Sequence, residues 1–143
     1  MTRLDWNSYF ANIAEVVATR ATCRRKSVGC VVEKDRHILA TGYNGSVSGM
    51  RHCTDVGCLM VDGHCARTVH AEANAIAQAA MRGVNLLGAV IHVTVKPCWP
   101  CLKLILNAGM HGVHWRGEYG ADWDNLEEIS SRYKLRENSL VRR

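Results

Sequence analysis

From Val28 onward the chain alternates between short β-branched or aliphatic runs and alanine- or leucine-rich stretches of helical period. That alternation predicts an α/β sandwich with its sheet in the middle. Val28 to Glu33 and His37 to Thr41 read as neighbouring antiparallel strands around the charged turn Lys34-Asp35-Arg36, after which Gly42-Tyr43-Asn44-Gly45 turns the chain. Ala71 to Arg82 reads as a helix stopped by Gly83, Ala89 to Val95 as a buried strand, and Pro100 to Ala108 as a second helix with Gly109 behind it. Leu102, Leu104, Ile105 and Leu106 make that second helix apolar nearly all round, so it should be covered on both sides. Val113 to Arg116 is a further strand. Before all these, Asp5 can cap a helix whose stripe is Trp6, Phe10, Ile13 and Val17. After them, Asp124 with Glu127 resembles a capping box for a last helix, with Leu126, Ile129 and Tyr133 on one face and Lys134 to Leu140 as an edge strand.

At 143 residues the chain suits one domain spanning 1–143 and is short for two. Apolar residues never run for eighteen positions, and Met1 to Trp6 lacks a signal core, so a soluble cytoplasmic protein with no membrane partner is expected. The formal charge of +5 fits a phosphate-bearing partner. The cations are spread along the chain, however, which disfavours a nucleic-acid surface. Seven cysteines beside seven histidines, without an export signal, point to metal ligation rather than disulfides.

Two short segments carry the chemistry: His70-Ala71-Glu72, opening one helix, and Pro97-Cys98-Trp99-Pro100-Cys101, opening the next. A catalytic zinc takes three protein ligands and keeps a fourth position for water, and His70, Cys98 and Cys101 supply one imidazole and two thiolates. At a helix N-terminus, unpaired backbone N–H groups and the helix dipole favour thiolate over thiol. Glu72, two residues past His70, is near enough to take a proton from the metal's water and deliver it to substrate. Cys-x-x-Cys alone could be a redox pair or a zinc knuckle, and His-x-Glu alone occurs by chance; in order and together they are specific.

His-x-Glu followed by Pro-Cys-x-x-Cys is the signature of zinc-dependent base deaminases. From Arg20 through Gly109 the chain resembles the deoxycytidylate deaminases of phage and bacterial type, including Gly42-Tyr43-Asn44-Gly45 and Cys53-Thr54-Asp55-Val56-Gly57-Cys58. The resemblance implies a three-layer α/β/α sandwich with a central mixed sheet, of the cytidine deaminase-like kind. It implies a catalytic zinc on His70, Cys98 and Cys101, proton transfer by Glu72, substrate contacts from Asn44 and Ala71, and hydroxide attack on C4 of dCMP with loss of ammonia. It further implies a homo-oligomer, commonly a hexamer, with dCTP and dTTP as effectors. Rival readings are another deaminase of this fold, acting on dCTP, cytidine, guanine or a tRNA adenosine, and a non-catalytic zinc module that binds nucleic acid. Glu72 speaks against the last, since a closed structural zinc gains nothing from a poised carboxylate.

A second, structural zinc is expected from Cys23, Cys53, Cys58 and Cys65, with His64 as substitute and His52 as outsider, because these ligands crowd a stretch, Ser46 to Thr68, that reads as a long loop. The alternative is a set of free buried thiols. Asn44-Gly45 is also an ordinary tight-turn pair. Cys30 reads as a small buried hydrophobe, and His92, His111 and His114 as structural histidines. Trp99 reads equally as a wall of the base pocket or as a core or interface residue. Arg20, Arg24, Arg25 and Lys26 could meet a phosphate or form a solvated cluster.

Overall fold

The computed structural model describes residues 2–118, 120 and 123–143. The chain begins with α1 (Trp6–Ala18), β1 (Gly29–Lys34) and β2 (His37–Tyr43). A segment of short elements follows: β3 (Gly45–Ser46), α2 (Cys53–Val56), β4 (Met60–Val61), β5 (His64–Cys65) and β6 (Thr68–Val69). Then come α3 (Ala71–Arg82), β7 (Val90–Val95), α4 (Trp99–Asn107), β8 (Gly112–Gly117), α5 (Glu127–Arg132), β9 (Tyr133–Arg136) and β10 (Ser139–Arg142). Six strands form the main sheet in the order β2-β1-β7-β8-β10-β9. It is mixed: β7 and β8 are parallel, while the remaining pairs are antiparallel.

Alternation along the strands decides what each face meets. Val31 packs on Phe10 and Ala14 of α1, and the His92 ring lies 5.0 Å from that of Phe10. The neighbours Cys30, Val32, Ile91, Val93 and Val113 point the other way, into the main core with Ala71, Ala75 and Ala79 of α3 and Leu102 and Ile105 of α4. Helices therefore cover both faces, as expected. α1 is capped by Asp5, whose side chain accepts the Ser8 N–H at 2.9 Å. Of its expected stripe, Phe10 is buried and Ile13 and Val17 pack beside it, but Trp6 is 39% exposed, with the Arg36 guanidinium over its ring.

Two glycines let the helices approach the sheet closely at one end. A Cβ on Gly42 would collide with the Ala71 carbonyl oxygen at the start of α3, and one on Gly29 would collide with the Ala14 carbonyl of α1. Cys30 and Gly42 are register partners, so both helices rest on adjacent strands at the same level.

Five expectations are corrected. The strand through Thr41 continues to Tyr43, and the turn falls at Asn44, because Gly45 and Ser46 pair with Thr68 and Val69. The loop from Ser46 to Thr68 holds one short helix and a two-stranded hairpin, β4–β5. Asp124 does not cap the last helix: α5 begins after Leu126 without a side-chain cap, and Asp124 lies in a 3-10 turn, Trp123–Asn125, with its carboxylate taken by the ammonium of Lys96. Tyr133 opens β9 rather than closing the helix, and the tail is a hairpin in which β10, not the edge strand β9, pairs with β8.

Candidate active site

The first turns of α3 and α4 begin side by side, and they carry the two chemical segments. His70 is the residue before α3 and Cys98 the residue before α4, both in extended conformation, while Cys101 lies in the first turn of α4. The His70 Nδ1 lies 3.5 Å from the Cys98 Sγ and 3.4 Å from the Cys101 Sγ, and the three donor atoms all fall within 4.8 Å of one another. A tetrahedral zinc with ordinary Zn–N and Zn–S bonds requires nitrogen and sulfur about 3.5 Å apart. The donor set fits that metal and leaves one position open.

The charges suit the same occupant. Hydrogen bonds from Cys101 and His70 hold the Cys98 thiol down to about 4, so it is a thiolate at neutral pH. Its partner Cys101 is pushed up, first by the shared hydrogen bond and then by burial. The Cys98 hydrogen bond raises the His70 imidazole. Glu72, in the first turn of α3, is only 4% exposed, and burial raises its carboxyl above the ordinary range. A carboxyl so placed passes readily between acid and base.

These groups open into a cavity of about 300 Å³ whose lining includes Val28, Asn44, Ala71, Glu72, Val95 and Lys96. Ala71 is fully buried, and its carbonyl accepts the Cys30 S–H at 3.4 Å. Asn44 is 6% exposed, and both ends of its amide are engaged: Oδ1 accepts the Val28 N–H at 2.8 Å and Nδ2 donates to the Lys26 carbonyl at 2.7 Å. It braces the wall that carries Lys26 and Val28. Arg25 and Lys26 line the cavity, whereas Arg24 donates to the Thr54 carbonyl. Partial burial lowers the Lys26 ammonium, an effect Glu72 opposes.

The second group of thiols gathers only in part. The sulfurs of Cys53, Cys58 and Cys65 lie within 4.8 Å of one another, with Cys53 and Cys65 at 3.5 Å. A hydrogen bond from Thr68 lowers Cys65 to about 6. Cys23 and His64 are not brought into that group; both line the active-site cavity instead. His52 pairs its Nδ1 with the Thr22 hydroxyl at 2.9 Å. Trp99 faces outward, 37% exposed and away from the cavity, with the Lys103 ammonium over its ring. Cys30 is fully buried; His92 is buried against Glu33 and stacks on His114.

The residue that sequence reasoning passed over is Lys96, which lines the cavity and is 5% exposed. Its signal was available: a lone cation between the apolar run Val93-Thr94-Val95 and Pro97, where burial obliges a charge to be paired.

The arrangement has counterparts. The family model for the cytidine and deoxycytidylate deaminase zinc-binding region matches residues 4–116. The chain belongs to the cytidine and deoxycytidylate deaminase family. Within that family it is 49% identical over 119 residues to ComE operon protein 2 of Bacillus subtilis, covering 83% of this chain and 63% of that one. It is 38% identical over 124 residues to the deoxycytidylate deaminase of Mycobacterium phage D29, covering 79% of this chain and 95% of that one. The crystal structure of the cyanophage S-TIM5 dCMP deaminase in complex with dCMP and dUMP superposes with a TM-score of 0.72 at 31% identity, covering 83% and 86% of the two chains. The mixed sheet with helices on both faces is thus the deaminase fold, and the site at the starts of α3 and α4 lies within the matched region.

Proposed function

We propose that this deaminase-family chain removes the 4-amino group of dCMP, giving dUMP and ammonia, with zinc as cofactor. The observation that carries the reading is the buried Glu72 carboxyl beside a three-donor metal site that keeps one position open. Zinc held by His70, Cys98 and Cys101 would acidify a water molecule and make it a nucleophile at neutral pH. The rest is done by the chain. Glu72 takes the proton that the nucleophile sheds and delivers it to N3 of the ring as the bond to C4 forms; it then carries the proton of the new C4 hydroxyl to the amino group as the C4–N bond breaks, leaving the C4 carbonyl and ammonia. The Ala71 N–H, in the first turn of α3, is free of helical pairing by its position and can donate to the ring carbonyl. Asn44 braces the cavity wall that carries Lys26 and Val28, and Arg25 and Lys26, both lining the cavity, are the cations that a 5′-phosphate would meet in this reading.

The test is ammonia release from dCMP, dCTP, CMP, deoxycytidine and cytosine. The expected order places dCMP first, because contacts to a charged phosphate supply binding energy that can be used at C4. Equal specificity constants for dCMP and deoxycytidine would sink the nucleotide claim. The same panel decides against dCTP or another base as the substrate, and activity on any of them excludes a non-catalytic zinc module.

Two finer readings belong with this one. A second zinc on Cys53, Cys58 and Cys65 is supported by their mutual approach and by a segment with little other means of ordering itself. Self-association, as a homo-oligomer up to a hexamer, is supported by α4: Leu102 and Ile105 are buried, but Leu104 is 47% exposed and Trp99 37%. Regulation by dCTP and dTTP follows from family resemblance alone. Among the described residues no helix is long and apolar enough to cross a membrane.

A further inference from the structure

Lys96 stands at the end of β7, one residue before the Pro97-Cys98 step that begins the metal loop. Its backbone N–H donates to the Gly117 carbonyl at 2.7 Å, so it is fixed to the end of β8. Its side chain is buried, and a buried ammonium is costly unless it is paired and well packed. Here its Nζ donates to the Asp124 carboxylate and lies 4.6 Å from the centre of the Trp123 ring and 5.8 Å from that of Trp115. The two indoles meet edge to face, with centroids 5.8 Å apart. Trp123, 2% exposed, returns the contact from the other side by donating its indole N–H to the Pro97 carbonyl at 2.8 Å. The Trp123–Asn125 turn is thus fastened to the metal loop at two adjacent residues, Lys96 and Pro97. Lys96 also forms part of the cavity wall, next to Val95 and Cys98.

A purely structural ion pair would have no reason to sit in that wall, and a methionine would fill the same space without burying a charge. We propose that Lys96 is a positioning residue for the nucleotide: by gripping Asp124 and the Trp123 ring it holds the turn against the metal loop and sets the wall on which substrate rests. The reacting atoms are left to Glu72 and the three metal donors. Loss of the grip frees the stretch of wall around residue 96 that the turn had held, and substrate binding must then order that wall again, which weakens binding more than it slows the bound complex. The proposal rests on the dCMP reading, and one of its two readouts does not.

The experiment uses the full zinc-loaded chain and the variants Lys96→Met, Lys96→Arg, Asp124→Asn and the double Lys96→Met/Asp124→Asn. Steady-state kinetics on dCMP should show KM raised about tenfold in Lys96→Met, with kcat within about threefold and zinc content unchanged, the pattern of a lost binding interaction. Asp124→Asn should act in the same direction, and the double variant should be no worse than Lys96→Met, because the two residues act as one unit. Lys96→Arg should return KM to within about threefold, since a guanidinium keeps the charge and stacks on an indole. Separately, hydrogen exchange at the Trp123 indole N–H should accelerate in Lys96→Met and recover in Lys96→Arg. An unchanged KM with only a lowered melting temperature would overturn the proposal, as would additive effects in the double variant or a fall in kcat accompanied by zinc loss. A parent inactive on dCMP would remove the substrate reading; the grip itself is refuted if indole exchange does not change in Lys96→Met.

Discussion

His70, Cys98 and Cys101 are carried by the first turns of α3 and α4, helices of 12 and 9 residues that pack on the central sheet, whereas Cys53, Cys58 and Cys65 come from a segment whose regular elements are two to four residues long. In the first region the polypeptide is held in place by the main core: Ala71 and Ala75 are fully buried, and so is Leu102. In the second, Met60, Val61 and Leu59 are all about half exposed, and the sulfurs themselves are the main point of convergence. The difference teaches which way cause runs. One donor set stands on helices packed into the main core; the other converges in a segment that buries little apolar surface of its own.

The sharpest way to break this comparison is to remove a donor from each set. His70→Ala or Cys98→Ala should abolish turnover and lose the catalytic zinc while the circular dichroism spectrum stays that of the parent, since three ligands leave no spare but Ala71, Ala75 and Leu102 still pack both helices on the sheet. Full zinc occupancy in either variant would refute the assignment. Glu72→Ala comes next in size: zinc should remain and kcat should drop by at least about a hundredfold, the usual cost of losing a general acid or base. Near-parental turnover would take Glu72 out of the mechanism. The Cys53→Ser/Cys58→Ser variant should show the opposite pattern, with zinc falling from two per chain to one and a lower melting temperature. One zinc in the metal-replete parent, with activity intact, ends the idea of the second site.

The smallest expected effect concerns a place remote from both regions and shows whether either governs acid stability. His92 and His114 stack at 5.2 Å, and burial lowers both imidazoles, with Glu33 partly opposing this. Because the folded state holds them below their unfolded values, the unfolded chain takes up protons first as pH falls. Stability from the pair is therefore full above about pH 6.5, the ordinary histidine value, and is lost as pH drops through the folded values. Urea midpoints between pH 7 and pH 5 should decline, and His114→Gln should flatten that slope. An identical slope would place the acid sensitivity elsewhere.

Much of this was legible in the chain, for physical reasons that also explain the failures. The alternation of Val28–Glu33, Ala71–Arg82 and Ala89–Val95 is local periodicity, and it gave strand, helix and strand within a residue or two. The metal donors were legible because their spacing along helix starts is itself local. What was not legible depends on partners far away in sequence. Asp124 looks like a helix cap by its neighbours and is instead claimed by Lys96, 28 positions earlier. Cys23 looks like a fourth zinc ligand by its place after the first helix, but the connection from α1 to β1 carries it to the cavity lining. Asn44, read as a substrate contact, lines the cavity, and what its local sequence does not show is that its amide also braces the backbone of residues 26 and 28.

The approach of Gly29 and Gly42 to the helices has a bearing on how such a chain can change over time. At that level the nearest contacts are to helix backbone, at Ala14 and Ala18 on one side and at Ala71 and Ala75 on the other. Side chains elsewhere in the core can be exchanged and repacked, and the spacing here will not register it. The residue that follows His70 is thus set against a datum that mutation of its surroundings cannot easily shift. The imidazole and the carboxyl keep their places through repacking of the interior, at the cost of two positions where any side chain would have to displace helix backbone.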